Sequence, residues 1–191
     1  MSAMRGNVMQ RSRRDARKRR TSRAIVEAFN RLVTRRRYEQ IQIDQIIGDA
    51  EVGRSTFYEH FRSKDDVLKS AAAGMLTVLA DAVKDGEHSG RIACVLRHFL
   101  EVGPTALAML RGPGARPMLD QLVELIEQRL AARAAHSGAA IIPPGVAAEQ
   151  IAASVFGLVG AWLARPGQCS ADALATALER GVRAQAVALF G

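Results

Sequence analysis

Between Ala24 and Val33 the apolar residues fall at Ala24, Ile25, Ala28, Phe29, Leu32 and Val33. That i, i+3, i+4 recurrence gathers them on one face of a helix, with Arg23, Glu27, Arg31, Arg35 and Arg36 facing out. Thr21 or Ser22 is the expected N-cap of this helix, a slightly earlier start being the alternative. Tyr38 to Gln42 reads as a connector. Ile43, Ile46 and Ile47 then mark the inner face of a short helix from about Ile43 to Ala50. A turn at Glu51 to Gly53 leads into a second short helix, about Arg54 to Phe61, whose Phe57 and Phe61 lie four apart and point inward. Ser63 is the expected cap of a further helix. It places Asp65 and Asp66 in the first turn, where the helix dipole favours anions. That helix continues through Val67, Leu68, Met75, Leu76 and Leu79 to about Asp85.

The remaining pattern is also helical. Helices are predicted near 89–102, 104–111, 115–136, 146–165 and 170–189, punctuated by Gly86, Gly103–Pro104, Gly112–Gly114, a Pro-Pro-Gly linker and Pro166–Gly167. No stretch alternates as a half-buried strand would. The predicted class is all-α: an N-terminal three-helix module at 21–63, preceded by a segment 1–20, and a larger helical domain at 64–191.

Charge sharpens this division. Residues 1–64 hold 16 of the 27 Lys and Arg residues and 7 of the 19 Asp and Glu residues, a net of +9, whereas 65–191 carry a net of −1. A localised basic end suits a polyanion, because neutralising phosphates releases condensed counterions. A solvated basic tail without a partner is the plainer alternative. Arg11, Arg13, Arg14, Arg17, Lys18, Arg19 and Arg20 crowd the first twenty residues. They predict a basic arm that stays unstructured until it meets a polyanion.

Two helices of about two turns joined by a tight turn, over 43–61, match a helix-turn-helix. The inward Phe57 and Phe61 leave Gly53, Arg54, Ser55, Thr56, Tyr58 and His60 toward the outside or the rim. These types suit DNA. Arg54 can pair bidentately with guanine, Ser55 and Thr56 can hydrogen-bond a base edge or touch a thymine methyl, and Tyr58 and His60 suit phosphate oxygens. Lys64 adds a charge for another phosphate. The bland readings are a half-buried packing Tyr58 and a solvated His60.

The run Val52 to Leu68, with the amphipathic helix upstream, Tyr38 and the Ile43–Ile47 helix, resembles the N-terminal signature of the TetR family of transcriptional regulators over roughly residues 20–70. The resemblance implies a dimeric, ligand-responsive repressor, released from a palindromic operator by a small molecule. It implies a groove-facing Gly53, Arg54, Ser55, Thr56 and Tyr58, with phosphate contacts from Tyr58, His60, Lys64 and the residue at Gln42. The chain departs from the family at Glu51, where members usually have glycine. Glu51 either adopts another turn geometry or tolerates that one at some cost, and it sets a negative charge near the DNA. The arm could enter the minor groove beside the site.

In the C-terminal part, the helix from Val146 to Ala164 is apolar nearly all round, which asks for cover on every side. Ile151, Val155, Leu158 and Trp162, with Leu174, Leu178 and Val182 of the last helix, are the expected homodimer interface, built as a four-helix bundle with the two-fold mates. A central core helix within a monomer is the alternative. Met75, Leu79, Cys94, His98, Phe99, Met109, Met118 and Leu122 are candidates for an apolar effector pocket, and ordinary core packing explains each of them as well.

Other functions find less support. There is no nucleophile–base constellation, phosphate-binding glycine loop or pair of His ligands at metal spacing, so neither an enzyme nor a cofactor or metal is expected. Cys94 and His98, four apart, are too few for a metal site. A non-specific nucleic-acid binder driven by the arm alone is the third reading. Two cysteines without a disulfide framework, no secretory signal and no apolar stretch judged long enough to span a bilayer (Ile151–Ala164 being the longest near the C-terminus) predict a cytoplasmic protein associated with the nucleoid when DNA-bound, with no membrane partner.

Overall fold

The computed structural model describes residues 2–137 and 140–190. It is helical, with no strand among the described residues: α1 Ser2–Val33, α2 Ile43–Asp49, α3 Arg54–His60, α4 Lys64–Ala80, α5 Ser89–Val102, α6 Pro104–Arg111, α7 Ala115–Ser137, α8 Pro144–Leu163 and α9 Ala171–Phe190. Single 3-10 turns occupy Tyr38–Gln40 and Asp81–Val83. The chain divides into two compact units, Met1–Ala71 and Ala72–Gly191.

In the first unit, α1 packs against α2 and α3. Ile25, Ala28, Phe29 and Leu32 of α1 are buried, as are Tyr38, Ile41, Ile46, Phe57 and Phe61. This is the stripe the 3.6-residue period marks out. Ile43 and Ile47 are only half-buried, so Ile46 is the residue by which α2 enters the core. One expectation needs correction. The helix does not begin at Thr21 or Ser22; α1 starts at Ser2, and the basic segment is its N-terminal extension. Residues 15–20 of that extension are exposed, while the side chains of Arg11, Arg13 and Arg14 lie outside the described residues. Arginine and lysine are good helix formers, and nothing in 2–20 breaks a helix except a single glycine, so local propensity is compatible with continuation.

In the second unit, α7 packs on α8 and α5 on α9. Asp81 sits at the centre of a polar cluster here, nearly enclosed. Arg129 of α7 donates to its Oδ1 through Nε (2.9 Å) and Nη2 (2.6 Å), and Lys84 and Arg91 approach at 2.9 and 3.4 Å. Burial alone would push the Asp81 carboxyl up; the hydrogen bonds and charges of Lys84 and Arg129 outweigh it and hold it below the ordinary value. Glu179 of α9 is also buried, accepting from the His88 backbone N–H at 2.7 Å and from Arg183 at 2.7 Å.

Helix α8 is longer than the apolar stretch counted from the sequence. At 20 residues it is long and apolar enough to cross a membrane by length and composition alone, although 44% of its apolar window is buried inside the fold. Ala147, Ala148, Ile151, Ala152, Val155, Val159 and Trp162 form that buried side, and the Trp162 indole N–H donates to the Cys169 carbonyl at 3.0 Å.

Candidate nucleic-acid interface

The two short helices owe their geometry to a turn with an uncommon residue. Ala50 closes α2, its N–H bonding Ile46 O, and Val52 N–H bonds Ile47 O at 3.2 Å. Between them Glu51 takes φ +53°, the left-handed region that glycine favours. Glu51 therefore adopts the geometry a glycine would take rather than a different turn. Gly53, by contrast, is the extended N-cap of α3 at φ −74°, ψ 153°, and a Cβ there would meet only ordinary contacts.

Helix α3 separates its faces cleanly. Phe57 is fully buried and Phe61 nearly so, their ring centroids 6.1 Å apart. Gly53, Arg54, Ser55 and Tyr58 are exposed, and Thr56 and His60 are half-buried. Tyr58, 47% exposed, stands edge-on to Phe57 with its hydroxyl end free to reach outward. Gln42 is exposed at the N-cap of α2, its N–H satisfied by the Gln45 side-chain oxygen at 3.0 Å. All eight sequence-selected residues are thus exposed or half-buried, Lys64 among the half-buried.

Lys64 differs from the others in its contacts. Its ammonium donates to the carbonyls of Tyr38 (3.0 Å), Ile41 (3.2 Å) and Glu39 (3.4 Å), and lies 4.6 Å from the Tyr38 ring centroid. All three donors of the ammonium are committed to the connector. Lys64 is a clamp holding the connector to α4, and its side chain is not free for phosphate in this arrangement. The Tyr38 hydroxyl completes the clamp by donating to Asp65 Oδ1. Burial first, then that hydrogen bond and the charges of Asp65 and Asp66, push the Tyr38 pKa far up.

Two polar contacts on this face had no sequence signal. Arg31 of α1 donates to the Asp49 backbone carbonyl at 2.8 Å and approaches its carboxylate at 3.4 Å. Arg54, at the first position of α3, donates through Nη2 to Asp44 Oδ1 of α2. Ten residues separate that pair, and only the turn at Glu51 brings them together.

The C-terminal candidates fare less evenly. Ile151, Val155, Trp162, Leu174, Leu178 and Val182 are buried within a single chain, and of the proposed interface set Leu158 alone is exposed, at 40%. The apolar circumference of α8 hides this from the sequence, because a helix with no polar face does not say which side its own fold covers. The outward stripe instead carries Ala153, Ser154, Gly157 and Leu158 on α8, and Ala173, Ala177, Gly181, Ala184 and Val187 on α9. Between the two helices runs a groove lined by Ser154, Val155, Leu158, Ala177, Leu178, Gly181, Val182 and Gln185. Among the pocket candidates Leu79, Met118 and Leu122 are buried, and Met75, Phe99 and Met109 half-buried. Cys94 and His98 are exposed, so they do not line an interior cavity. Helix α5 turns Ile92, Ala93, Val95 and Leu96 inward, and this rotates Cys94 and His98 out, the latter 3.6 Å from Glu101.

Residues 25–71 match the family model described as bacterial regulatory proteins, tetR family. No curated protein matches the chain. Among solved structures, a TetR transcriptional regulator from Streptococcus agalactiae 2603V is similar at 24% identity, covering 88% of this chain and 97% of that one with a TM-score of 0.55. A TetR-family regulator from Syntrophomonas wolfei aligns at 19% identity over 88% and 96% of the two chains, TM-score 0.55. RolR in complex with resorcinol aligns at 18% identity over 92% and 97%, TM-score 0.51. Residues 25–71 thus resemble the tetR family of bacterial regulatory proteins, and the all-helical architecture is the fold of these solved regulators.

Proposed function

We propose that the protein is a homodimeric repressor that binds a palindromic operator through α3 and leaves it when a small molecule binds the second unit. The observation that carries the DNA reading is the split of α3: Phe57 and Phe61 anchor it, while Gly53, Arg54, Ser55 and Tyr58 stand exposed on the opposite side. Residues at the start of a recognition helix are those that reach base edges in the major groove. The basic extension of α1 supplies sequence-independent attraction to phosphates. As a helix it is too wide for the minor groove, about 6 Å across in B-DNA, and lies along the backbone instead.

Dimerisation is supported by features that a lone chain does not use. Gly157 and Gly181 sit inside helices with nothing within 4 Å of where a Cβ would be, although glycine costs about 1 kcal/mol relative to alanine in such a position. Gln185 Oε1, in the groove beside Gly181, is buried without a hydrogen-bond partner among the described residues. A second copy crossing at the small residues of α8 and α9 explains both. The expected interface is therefore Ser154, Gly157, Leu158, Ala177, Gly181 and Gln185, rather than the buried set inferred from apolarity. The bound resorcinol of RolR supports a small-molecule effector as a class, released repression being the two-state consequence if the ligand prefers the non-binding state.

The test is selection of bound duplexes from a random pool by the full-length protein, followed by footprinting. A palindrome with half-sites about one helical turn apart, roughly 34–36 Å, is expected. Recovery of unrelated sequences only would overturn the reading in favour of non-specific binding.

A further inference from the structure

The pairing of Arg54 with Asp44 points to a role for an acidic residue on a face that should attract phosphates. Arg54 opens α3 and Asp44 is the second residue of α2, and both side chains are well exposed, at 63% and 69%. Arg54 Nη2 donates to Asp44 Oδ1. An exposed arginine beside DNA has two kinds of acceptor within reach: guanine O6 and N7 on the groove floor, and the phosphates along its walls. Phosphates carry full charge and lie on every side, so an unrestrained guanidinium takes a phosphate as readily as a base. A carboxylate partner changes this in two ways. It cancels the net charge that draws Arg54 to the backbone, and it ties the head of a long side chain to α2. Of five N–H donors on the guanidinium, the pair consumes one, leaving enough for a bidentate contact with guanine.

We infer that Asp44 is a positioning residue that reserves Arg54 for a base edge, making it specificity-determining without touching the base itself. The inference rests on the DNA-binding reading above. It gives a role to one of the exposed acids of the helix-turn-helix, where by charge alone it weakens DNA binding.

The test compares wild type, Asp44→Asn, Arg54→Ala and the double variant by fluorescence anisotropy, between about 50 and 200 mM salt. The duplexes are the selected operator, operators with each guanine replaced in turn, and a random sequence. In wild type, one guanine position is expected to matter about tenfold or more, and Arg54→Ala to abolish that preference. Asp44→Asn should lower the same preference to near the Arg54→Ala level and bind the random duplex about three- to tenfold more tightly. Its salt dependence should steepen by about 0.9 per protomer, the signature of one new phosphate contact. Adding Arg54→Ala to Asp44→Asn should remove that extra slope, which a merely structural role of Asp44 would not produce. Undiminished guanine preference in Asp44→Asn, or an unchanged slope, overturns the inference while leaving the DNA-binding reading intact. Absence of any sequence preference in wild type defeats that reading first, and this inference with it.

Discussion

Replacing Glu51 by glycine should stabilise the protein, because Glu51 is the one non-glycine residue among those described that holds a left-handed backbone, at φ +53°. An L-residue there brings its Cβ against the backbone carbonyl at a cost of roughly 1–2 kcal/mol. Glycine removes that cost but gives up roughly 0.5–1 kcal/mol of extra chain entropy on folding. Taken at their midpoints the two terms leave a net gain of about 0.75 kcal/mol. For a chain unfolding as one unit of this size, that is a rise of about 1–4 °C in Tm. Glu51 is exposed, and no hydrogen bond or ion pair of its side chain is described, so no contact offsets the gain. Glu51→Ala is the necessary control, since it removes the same charge and retains the Cβ. Thermal and urea denaturation followed by circular dichroism should rank glycine above both glutamate and alanine, with the latter two nearly equal. If alanine stabilises as much as glycine, the effect is charge relief and the backbone argument is wrong.

Four further outcomes follow from the same structure. Arg54→Ala should leave the melting temperature unchanged and cost about 1–3 kcal/mol of operator binding, concentrated at a single base position in a mutated-operator series. Removing residues 1–20 should weaken binding to all duplexes alike and flatten the salt slope while keeping operator preference; loss of the preference would mean that the extension reads sequence. Arg129→Ala removes two hydrogen bonds from the enclosed Asp81 carboxylate but leaves Lys84 and Arg91 beside it, so it should destabilise the protein in urea unfolding by less than the roughly 3–5 kcal/mol of an uncompensated buried charge. The Asp81 pKa is depressed in the folded state, so the wild-type contribution is present above the ordinary carboxylate range and is lost as pH falls through the lowered value. The Arg129→Ala variant should show a smaller acid-side loss, because Lys84 still lowers the Asp81 pKa. Finally, Gly157→Leu or Gly181→Leu should give a folded monomer by sedimentation, since each position opens onto empty space within one chain; a dimer that persists in both would move the interface elsewhere.

Much of this protein was legible in one dimension, wherever the information is local. The apolar period from Ile25 to Leu32, the glycine and proline breaks between α5, α6 and α7, and the inward Phe57 and Phe61 each follow from spacing alone. They place α2, α3 and α5 to α9 within a few residues of where they occur, though not the start of α1, and they turn Arg54, Ser55 and Tyr58 outward. What needed the tertiary structure was every pairing between distant segments, and every choice among faces that are equally apolar. Lys64 looks like a free cation until the fold brings the Tyr38–Ile41 carbonyls to its ammonium. Asp44 and Arg54 lie ten residues apart with no periodic relation, and become partners because Glu51 bends the chain between them. On α8, Ile151 and Leu158 are both hydrophobic, yet one is buried by its own chain and the other is left exposed. Hydrophobicity sets how much surface must be covered, and only the packing of α7, α8 and α9 decides which side the chain covers itself.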